Sequence, residues 1–308
     1  MSRILITGAT SFIGRALCRR LRDSGKEVRA LVRSSSPNVG LFKSEEGIQT
    51  VLGEMENLKS ALTGLGGIDA IVHLAWDGIG SKGRADAAIQ QQNYAHSIEI
   101  VSVGRTAGCQ IFVGAGSQAE YGFVSDLITE TTPCHPVSEY GKAKLRFTHD
   151  GAALCQKLNI RWRMPRMFSV YGPHDHPWAL IPSLLRALAA NEVMPLTDCH
   201  QFWNYLFVDD AARALEALLE PACEDGIYNV ASGVSAPLKD FVMKACVLFP
   251  NSARPEFGAV PHGSRGPLSL RPSVDKLMRN TGWRESICFT EGVKKTLAWL
   301  NHNQPNSQ

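Results

Sequence analysis

Tyr140 and Lys144 carry most of the chemistry that can be read from this sequence. They stand four positions apart, so on a helix they project from one face, one turn apart. A nearby ammonium favours the phenolate and lowers the pKa of a tyrosine, which can then give or take a proton near neutral pH. The same spacing is also common on solvated helix faces, so the pair needs a third group beside it to define a site.

Ser117 is the candidate for that third group. It precedes Tyr140 by 23 residues and follows an apolar run that ends in glycine and alanine at 114–116. A hydroxyl at a strand end can hold a substrate oxygen beside the tyrosine. The three residues together predict a site that moves a proton to or from an oxygen.

A glycine-rich turn follows the apolar run at residues 4–6, with the spacing Gly8-x-x-Ser11-x-x-Gly14. A strand, such a turn and a helix bind dinucleotides: Gly8 permits the tight turn, Gly14 permits close packing, and the helix N-terminus attracts the pyrophosphate. Ser11 replaces the middle glycine of the GxxGxxG form. The alternative is a capping turn, with Thr10 or Ser11 binding free N–H groups of the helix.

The end of the second predicted strand bears on the cofactor. It reads Leu-Val-Arg-Ser-Ser-Ser at 31–36, with Arg33 where an acidic residue would bind the ribose 2′-hydroxyl of NAD. A guanidinium suits a 2′-phosphate, so NADP(H) is favoured over NAD(H). The alternative is an exposed arginine in a polar loop.

The elements that must position these groups alternate along the chain. Strands are predicted at 4–6, 28–32, 68–74, 111–114 and 160–164, and long helices at 85–107 and 138–158. This alternation predicts an α/β fold with a doubly wound parallel sheet and a smaller C-terminal substrate lobe. The predicted division is a dinucleotide-binding domain at 1–170, to which 205–232 returns through a strand and a helix at 205–219, and a substrate-binding lobe at 171–204 and 233–308.

Composition excludes several classes of protein. The 308 residues are 44% hydrophobic and 20% charged with a net charge of +3, which is ordinary for a globular chain. There is no Lys/Arg block for nucleic acid, no apolar stretch long enough for a membrane, and no signal-peptide pattern at the start. Eight cysteines without Cys-x-x-Cys spacing are typical of reduced thiols, so a cytoplasmic protein is expected. The His-Asp-His run at 174–176 offers too few ligands to predict a metal.

The sequence resembles the extended short-chain dehydrogenases/reductases of the NDP-sugar epimerase/dehydratase group over nearly its whole length. The matching segments, in family order, are 7–14, 72–75, 117–122, 140–144, 166–173, 204–210, 228–230 and 281–283. The resemblance implies that Tyr140 is the catalytic acid/base, that Lys144 binds the nicotinamide ribose and tunes Tyr140, and that Ser117 holds the reacting oxygen.

The resemblance, together with the strand ends above, defines two sets of expected contacts. The cofactor set is Gly8, Thr10, Ser11, Phe12, Ile13, Gly14, Arg33, Ser34, Glu54, Met55, Leu74, Ala75, Trp76, Tyr140, Lys144 and Met167. The substrate set is Trp76, Ser117, Gln118, Ser169, His174, Asn204, Arg265 and Arg271. Glu54 and Met55 stand where the family usually has Asp-Leu, and Ser169 stands where many relatives have Asn. The family roles are therefore less firmly assigned at these three positions.

The segment 117–122 separates the family's reactions. Dehydratases have Thr-Asp-Glu-Val-Tyr-Gly there, and the Asp and Glu move protons at C5 and C6. This chain has Gln118 and Ala119 at those positions, and neither can titrate. The resemblance therefore implies that dehydration has lost its acid and base. Glu120 comes one position too late and is expected to be a salt-bridged surface residue.

Reduction and epimerisation remain. A 4-epimerase retains its cofactor, often NAD, whereas a net reductase exchanges NADPH, so Arg33 favours the reductase. Residues 117–122 also resemble nucleotide-4-keto-6-deoxyhexose reductases such as CDP-abequose synthase. The expected reaction is hydride transfer from NADPH to the C4 carbonyl of a nucleotide-linked 4-keto-6-deoxyhexose, with Tyr140 protonating the oxygen.

Two other functions stay open: an NAD(P)-dependent NDP-sugar 4-epimerase, and a non-catalytic NADP-binding regulator. The resemblance further implies a homodimer, because relatives commonly pair two long helices from each chain in a four-helix bundle. Here those helices are 85–107 and 138–158.

Overall fold

The computed structural model describes residues 2–62, 67–263 and 268–303. The strands are β1 Arg3–Thr7, β2 Glu27–Val32, β3 Ile48–Leu52, β4 Ala70–His73, β5 Ile111–Gly114, β6 Gly116–Ser117, β7 Arg161–Met167, β8 Val170–Tyr171, β9 Pro195–Leu196, β10 Phe202–Asn204, β11 Leu206–Phe207, β12 Gly226–Val230, β13 Ser235–Pro237 and β14 Glu256–Phe257. The α-helices are α1 Phe12–Asp23, α2 Leu58–Leu62, α3 Ser81–Ala85, α4 Ala87–Thr106, α5 Glu139–Lys157, α6 Leu180–Ala189, α7 Val208–Ala217, α8 Leu238–Cys246, α9 Asp275–Thr281 and α10 Phe289–His302. Short 3-10 turns lie at Met55–Asn57 and Gln118–Glu120.

The main sheet has the order β12-β7-β5-β4-β1-β2-β3, with β6 also paired to β7, and its pairings are parallel. The predicted doubly wound parallel sheet is confirmed. The chain proceeds outward in one direction from β1 and in the other from β4. This reversal leaves a crevice at the carboxyl ends of β1 and β4, which is where ligands bind in open α/β sheets.

Side chains that alternate along β1 connect the sheet to helices on both faces. Ile4 and Ile6 pack in one buried cluster with Leu17 of α1, whereas Leu5 packs in another with Ile100 of α4 and Phe147 of α5. Successive strand residues point to opposite faces, so a strand that is apolar at every position is buried on both sides. The sheet is therefore covered by α1 and α7 on one face and by α4 and α5 on the other.

A separate buried cluster lies in the part of the chain that follows β7. It joins Leu184 of α6, Phe241 of α8 and Phe289 of α10 around Tyr171. Short two-stranded pairs, β8 with β11, β9 with β14 and β10 with β13, complete this part of the chain.

The segment predicted at 205–219 is a strand and a helix, but it does not join the main sheet. Residues 206–207 pair with 170–171 in their own two-stranded sheet. The return is made by β12, which pairs with β7 at residues 226–230. The strand β3 was not predicted, because on this edge strand the buried residues are Ile48 and Val51 alone.

Among the described residues, no helix combines the length and the apolar character that a membrane crossing requires.

Candidate active site

A cavity of about 1090 Å³, hereafter the main cavity, opens at the carboxyl ends of the central strands, from Thr7 of β1 to Met167 of β7. It lies at the reversal of strand order. The predicted residues that line it are Gly8, Thr10, Ser11, Phe12, Ile13, Arg33, Met55, Leu74, Ala75, Trp76, Ser117, Gln118, Tyr140, Lys144, Met167 and Ser169.

The glycine turn needs its two glycines for different reasons. Gly8 has φ +67°, and a Cβ there would stand 2.8 Å from the Ala75 nitrogen. A Cβ at Gly14 would come within 2.2 Å of the Gly8 carbonyl oxygen, so Gly14 lies behind the turn and does not line the cavity. The Ser11 hydroxyl accepts the Gly14 N–H at 3.2 Å and caps α1. The start of α1, which borders the cavity, is thus capped by Ser11, and Gly14 lets it pack closely against the backbone of the turn.

Three side chains pack against one another in the cavity wall, those of Trp76, Tyr140 and Lys144. The Tyr140 and Trp76 rings meet edge to face with centroids 6.0 Å apart. The Lys144 ammonium lies 3.5 Å from the Trp76 ring centroid and 5.8 Å from that of Tyr140. It donates to the Ala115 carbonyl oxygen at 2.7 Å. The indole face stabilises an ammonium that is otherwise removed from water.

The pKa of Tyr140 differs from the expectation. Burial raises it, while a hydrogen bond with Ser117 and the charge of Arg84 act in the opposite direction. The neighbouring cation is therefore Arg84, whose guanidinium lies 4.4 Å from the Tyr140 ring centroid, because Lys144 is turned toward Trp76 and Ala115. Since burial dominates, the phenol keeps its proton at neutral pH.

Lys144 is only 4% exposed. Burial lowers its pKa from 10.5 to about 7, Arg84 lowers it further, and the charge of Glu120 opposes both. The Lys144 side chain therefore changes between the ammonium and the neutral amine near neutral pH.

This titration makes stability depend on pH in a defined direction. Between pH 7 and 10.5 the unfolded chain holds a proton at Lys144 that the folded chain has lost, so the free energy of unfolding rises with pH across that window. Below pH 7 both states are protonated and this contribution is constant. We expect Lys144→Met to remove this rise, as measured by urea denaturation at several pH values in the window.

Lys142→Met is the matched control, because Lys142 lies on the same helix, is exposed and pairs with Glu139 at 2.7 Å. It should keep the wild-type dependence on pH. The same slope in wild type and Lys144→Met would show that Lys144 titrates normally in the folded chain.

Glu120 is buried and not on the surface as expected, although it is salt-bridged. Its carboxylate accepts the Ser117 backbone N–H at 2.8 Å, the Thr148 hydroxyl at 2.9 Å and the Arg166 Nε at 2.9 Å. Glu120 is 0% and Arg166 2% exposed, so Arg166 lies beneath the cavity floor and not in its wall. The carboxylate fixes the backbone that presents Ser117.

A buried hydrogen-bond chain that was not predicted from the sequence supports the turn after β4. The Ala75 N–H donates to the Thr7 Oγ1 at 3.2 Å, Thr7 contacts His73 Nδ1 at 2.7 Å, and His73 Nε2 contacts Ser97 Oγ at 2.9 Å. Ser97 donates to the Asn93 carbonyl oxygen. His73 therefore donates through Nε2 and accepts at Nδ1, and burial, which lowers its pKa to about 3, keeps it neutral.

Helix α4 also holds the loop that carries Trp76. Asn93 donates to the Asp77 carbonyl oxygen at 2.9 Å and accepts the Asp77 N–H at 3.0 Å. Gln90 accepts the Trp76 Nε1–H at 2.8 Å and donates to the Gly83 carbonyl oxygen at 2.9 Å. The available signal in the sequence was a row of polar residues at 90, 93 and 97 on a helix face that packs against a sheet.

Arg33 lies on the cavity wall at the end of β2. Its side chain is 54% exposed and contacts the Asp77 carboxylate at 3.2 Å. Ser34 and Glu54 do not line the cavity, because Glu54 accepts both the Ser34 N–H at 3.0 Å and its hydroxyl at 2.7 Å. These two residues join the loops after β2 and β3.

His174 does not reach the main cavity. Its backbone has φ +68°, and its ring turns to the far side of α1. There the ring centroid lies 4.7 Å from that of Trp299, and Nδ1 lies 3.1 Å from Arg15 Nη1.

Two of the remaining predicted substrate contacts, Asn204 and Arg271, do not line the main cavity. Asn204 is buried and donates to the carbonyl oxygens of Ser232 and Val234, both at 2.9 Å, so it supports backbone. The Arg271 guanidinium lies 4.9 Å from the Phe202 ring centroid. Arg265 lies outside the described residues.

The part of the chain after β7 also lines the cavity with residues outside the predicted sets of contacts: Asp175, His176, Trp178, Trp203 and Tyr205. Burial raises the pKa of Asp175 to about 7, and its carboxylate accepts the His176 N–H at 2.7 Å. In the described part of the chain no three His, Cys, Asp or Glu side chains are arranged to hold a metal ion.

The chain is similar to enzymes of known activity. The profile of the NAD dependent epimerase/dehydratase family matches residues 4–231. A dTDP-glucose 4,6-dehydratase from Streptomyces griseus is 24% identical over 319 residues, covering 98% of this chain and 95% of that protein. CDP-abequose synthase from Salmonella typhimurium is 24% identical over 309 residues, covering 96% and 98%. The solved UDP-glucuronic acid 4-epimerase from Bacillus cereus, in complex with UDP-glucuronic acid and NAD, has the same fold, with a TM-score of 0.81 at 21% identity and coverage of 98% and 100%.

Proposed function

Because the chain belongs to the NAD dependent epimerase/dehydratase family, we propose that it is an enzyme that uses NADPH to reduce the C4 keto group of a nucleotide-linked 4-keto-6-deoxyhexose. The observation that carries this proposal is the Tyr140 phenol. It lies in the main cavity in a hydrogen bond with Ser117, and burial raises its pKa. A phenol that holds its proton at neutral pH is suited to donate it to a newly formed alkoxide.

The residues around the cavity fit a nicotinamide dinucleotide, which would supply the hydride. The start of α1 borders the cavity, and the missing side chain at Gly8 lets the turn pass close to the backbone of Leu74 and Ala75, which also line the cavity. Ser117 orients the carbonyl oxygen and Tyr140 protonates it. The phenolate left on Tyr140 is stabilised by Arg84, which faces its ring, and by Lys144 one helical turn away.

Dehydration is disfavoured by the residues at 118 and 119. Gln118 and Ala119 both line the cavity, and neither can exchange a proton near neutral pH. The one carboxylate of the segment, that of Glu120, is held by Arg166 and Thr148 below the cavity floor. The similarity to a CDP-abequose synthase supports a reductase, although a dehydratase is equally similar by identity.

A sugar 4-epimerase is the second candidate function. Arg33 already contacts the Asp77 carboxylate, so it is not an isolated cation awaiting a 2′-phosphate, and a solved epimerase with NAD shares the fold. Such an enzyme would retain its cofactor through both half-reactions. A non-catalytic NADP-binding regulator is the third candidate, and it would not need Tyr140.

The test is NADPH oxidation against a panel of CDP-, dTDP- and GDP-4-keto-6-deoxyhexoses, together with extraction of cofactor from the purified protein. Turnover with one of these substrates and no retained cofactor would support the reductase. Retained NAD with interconversion of ordinary UDP-sugars, and no net NADPH oxidation, would establish the epimerase instead.

Arg33 is the proposed determinant of cofactor preference. We expect Arg33→Gln to raise the KM for NADPH about tenfold or more, because a charge-assisted hydrogen bond to phosphate contributes about 1.5–3 kcal/mol. The KM for NADH should change little, since NADH lacks the 2′-phosphate. The measurement is steady-state kinetics with both cofactors.

Asp77→Asn is the companion variant, because it removes the carboxylate that competes for Arg33. It should lower the KM for NADPH or leave it unchanged. Equal changes in the KM for NADPH and NADH in Arg33→Gln would contradict a contact with the 2′-phosphate.

The homodimer and the cytoplasmic location remain predictions. The two helices expected at a dimer interface, α4 and α5, pack side by side on one face of the sheet. Residues such as Gln91, Ala95, Arg146 and Ala153 are exposed on them. Sedimentation equilibrium measures whether two chains associate.

A further inference from the structure

A second cavity, of about 470 Å³, lies on the other side of α1 from the main cavity. It is bounded by α1, by α7, by Pro173 and His174, and by Trp299 of α10. Its volume is within the range of pockets that hold small organic ligands, about 300–1,000 Å³.

The charged lining of the second cavity consists of four arginines, at positions 15, 19, 20 and 213, and two aspartates, Asp23 and Asp209. Three of the arginines are neutralised by carboxylates, since Arg19 pairs with Glu45, Arg20 with Glu216 and Arg213 with Asp210. Such pairs leave little charge for a ligand.

Arg15 differs from the other three. Its Nε donates to the Thr10 carbonyl oxygen at 2.9 Å, and its Nη1 lies 3.1 Å from the Nδ1 of His174. Within residues 2–62, 67–263 and 268–303, no carboxylate lies within ion-pair distance of it. The donated hydrogen bond makes His174 Nδ1 an acceptor, so the ring cannot carry a charge in this arrangement, and Arg15 is a partly buried cation whose partners are neutral.

An aromatic wall stands beside this cation. The His174 and Trp299 ring centroids are 4.7 Å apart. His174 has φ +68°. Residues other than glycine seldom adopt this left-handed backbone conformation, and it persists where the surroundings impose it. The conformation turns the imidazole of His174 toward Arg15 and Trp299, whereas Asp175 and His176 line the main cavity.

We propose that the second cavity is a binding site for a phosphate monoester that carries a planar ring. The phosphate binds the Arg15 guanidinium, whose planar set of N–H donors matches it, and the ring packs against Trp299. Phe12 borders both cavities, so a ligand in the second cavity contacts part of the main cavity's wall. The site thus has the position of an effector site beside the cofactor turn.

The test uses phenyl phosphate as the probe, titrated into the full-length protein by isothermal calorimetry. We expect saturable binding with a Kd of about 1 mM or tighter, with weaker binding of inorganic phosphate and none of phenol. Arg15→Gln should weaken the binding of phenyl phosphate about tenfold or more, through loss of a charge-assisted hydrogen bond. Trp299→Leu should weaken phenyl phosphate but not inorganic phosphate.

Two controls separate this site from the main cavity and from the protein surface. Arg105→Gln removes an exposed arginine at the end of α4, and Arg33→Gln removes the arginine of the main cavity. Both should bind phenyl phosphate as the wild type does. No reaction is measured, so failure of the proposed reductase activity would leave this result unaffected.

The proposal is overturned if wild type shows no saturable binding, if Arg15→Gln binds as tightly as wild type, or if Arg33→Gln loses as much affinity as Arg15→Gln. Should Arg15→Gln fail to fold, Arg15→Lys and Trp299→Leu replace it. Arg15→Lys keeps the charge but loses the planar pair of donors, so intermediate affinity supports the site and unchanged affinity in both variants refutes it.

Discussion

Replacing Tyr140 with phenylalanine should lower kcat of the proposed reduction by about 10²- to 10⁴-fold, the usual contribution of a positioned proton donor. The ring and its edge-to-face contact with Trp76 are retained, so the cavity should keep its shape. The KM for the nucleotide sugar should therefore change far less than kcat. The measurement is steady-state NADPH oxidation with the substrate identified in the panel above.

Tyr94→Phe is the matched control for this variant. Its hydroxyl donates to Asp150 on the outer side of α4 and α5 at 2.6 Å, away from the main cavity. It should leave kcat within about twofold of wild type, as expected of a surface change. A Tyr140→Phe enzyme that keeps wild-type kcat would show that proton donation by Tyr140 is not part of the reaction.

Local spacing explains which parts of the site were predictable from sequence. The glycine turn and the tyrosine–lysine pair are each set by a few residues within one element, so their positions on the cavity follow from the element alone. The prediction for Ser117 required only one further condition, that a strand should end next to the helix that carries Tyr140. Where each of these groups lies depends on the secondary structure, which periodicity indicates, and on the doubly wound parallel sheet, which the alternation of strands and helices indicates.

The direction of a side chain was predictable only where its element is regular. His174 follows Pro173 and adopts a left-handed backbone, which turns its ring away from the main cavity while Asp175 faces it. Nothing in the sequence indicates such a conformation at a histidine. The prediction that Asn204 contacts the substrate was wrong for a related reason. A short strand pair places its amide against the backbone at residues 232 and 234.

Electrostatic partners were the least predictable feature. The expectation that Lys144 lowers the pKa of Tyr140 assumed that helical spacing alone sets the interaction. The structure brings Trp76 from another strand end against the ammonium, and Arg84 from α3 against the tyrosine ring. Both contacts join segments more than 50 residues apart, and such long-range partners leave no local pattern.

These partners bear on the direction of the reaction. Because burial dominates at Tyr140, the protonated phenol is the ground state near neutral pH. A net reduction begins from that form, whereas an epimerisation begins with removal of a substrate proton by the phenolate. The protonated phenol is therefore suited to the protonation step that the proposed reduction requires.

The largest expected effect on stability is at Glu120. We expect Glu120→Gln to lower the free energy of unfolding by about 3 kcal/mol or more, because removing one charge of a buried ion pair leaves the other without compensation. The remaining charge is that of Arg166, whose Nη1 already has no hydrogen-bond partner among the described residues. The measurement is urea denaturation at neutral pH.

Glu139→Gln provides the surface comparison, because its pair with Lys142 is exposed and should contribute about 0–1 kcal/mol. In the double variant Glu120→Gln with Arg166→Met, both charges are removed, so part of the lost stability should return. A double variant less stable than Glu120→Gln alone would show that the uncompensated arginine is not the cause. Because Glu120 also accepts the Ser117 N–H, the Gln variant should lose activity as well as stability, which joins the buried ion pair to the placement of the reacting oxygen.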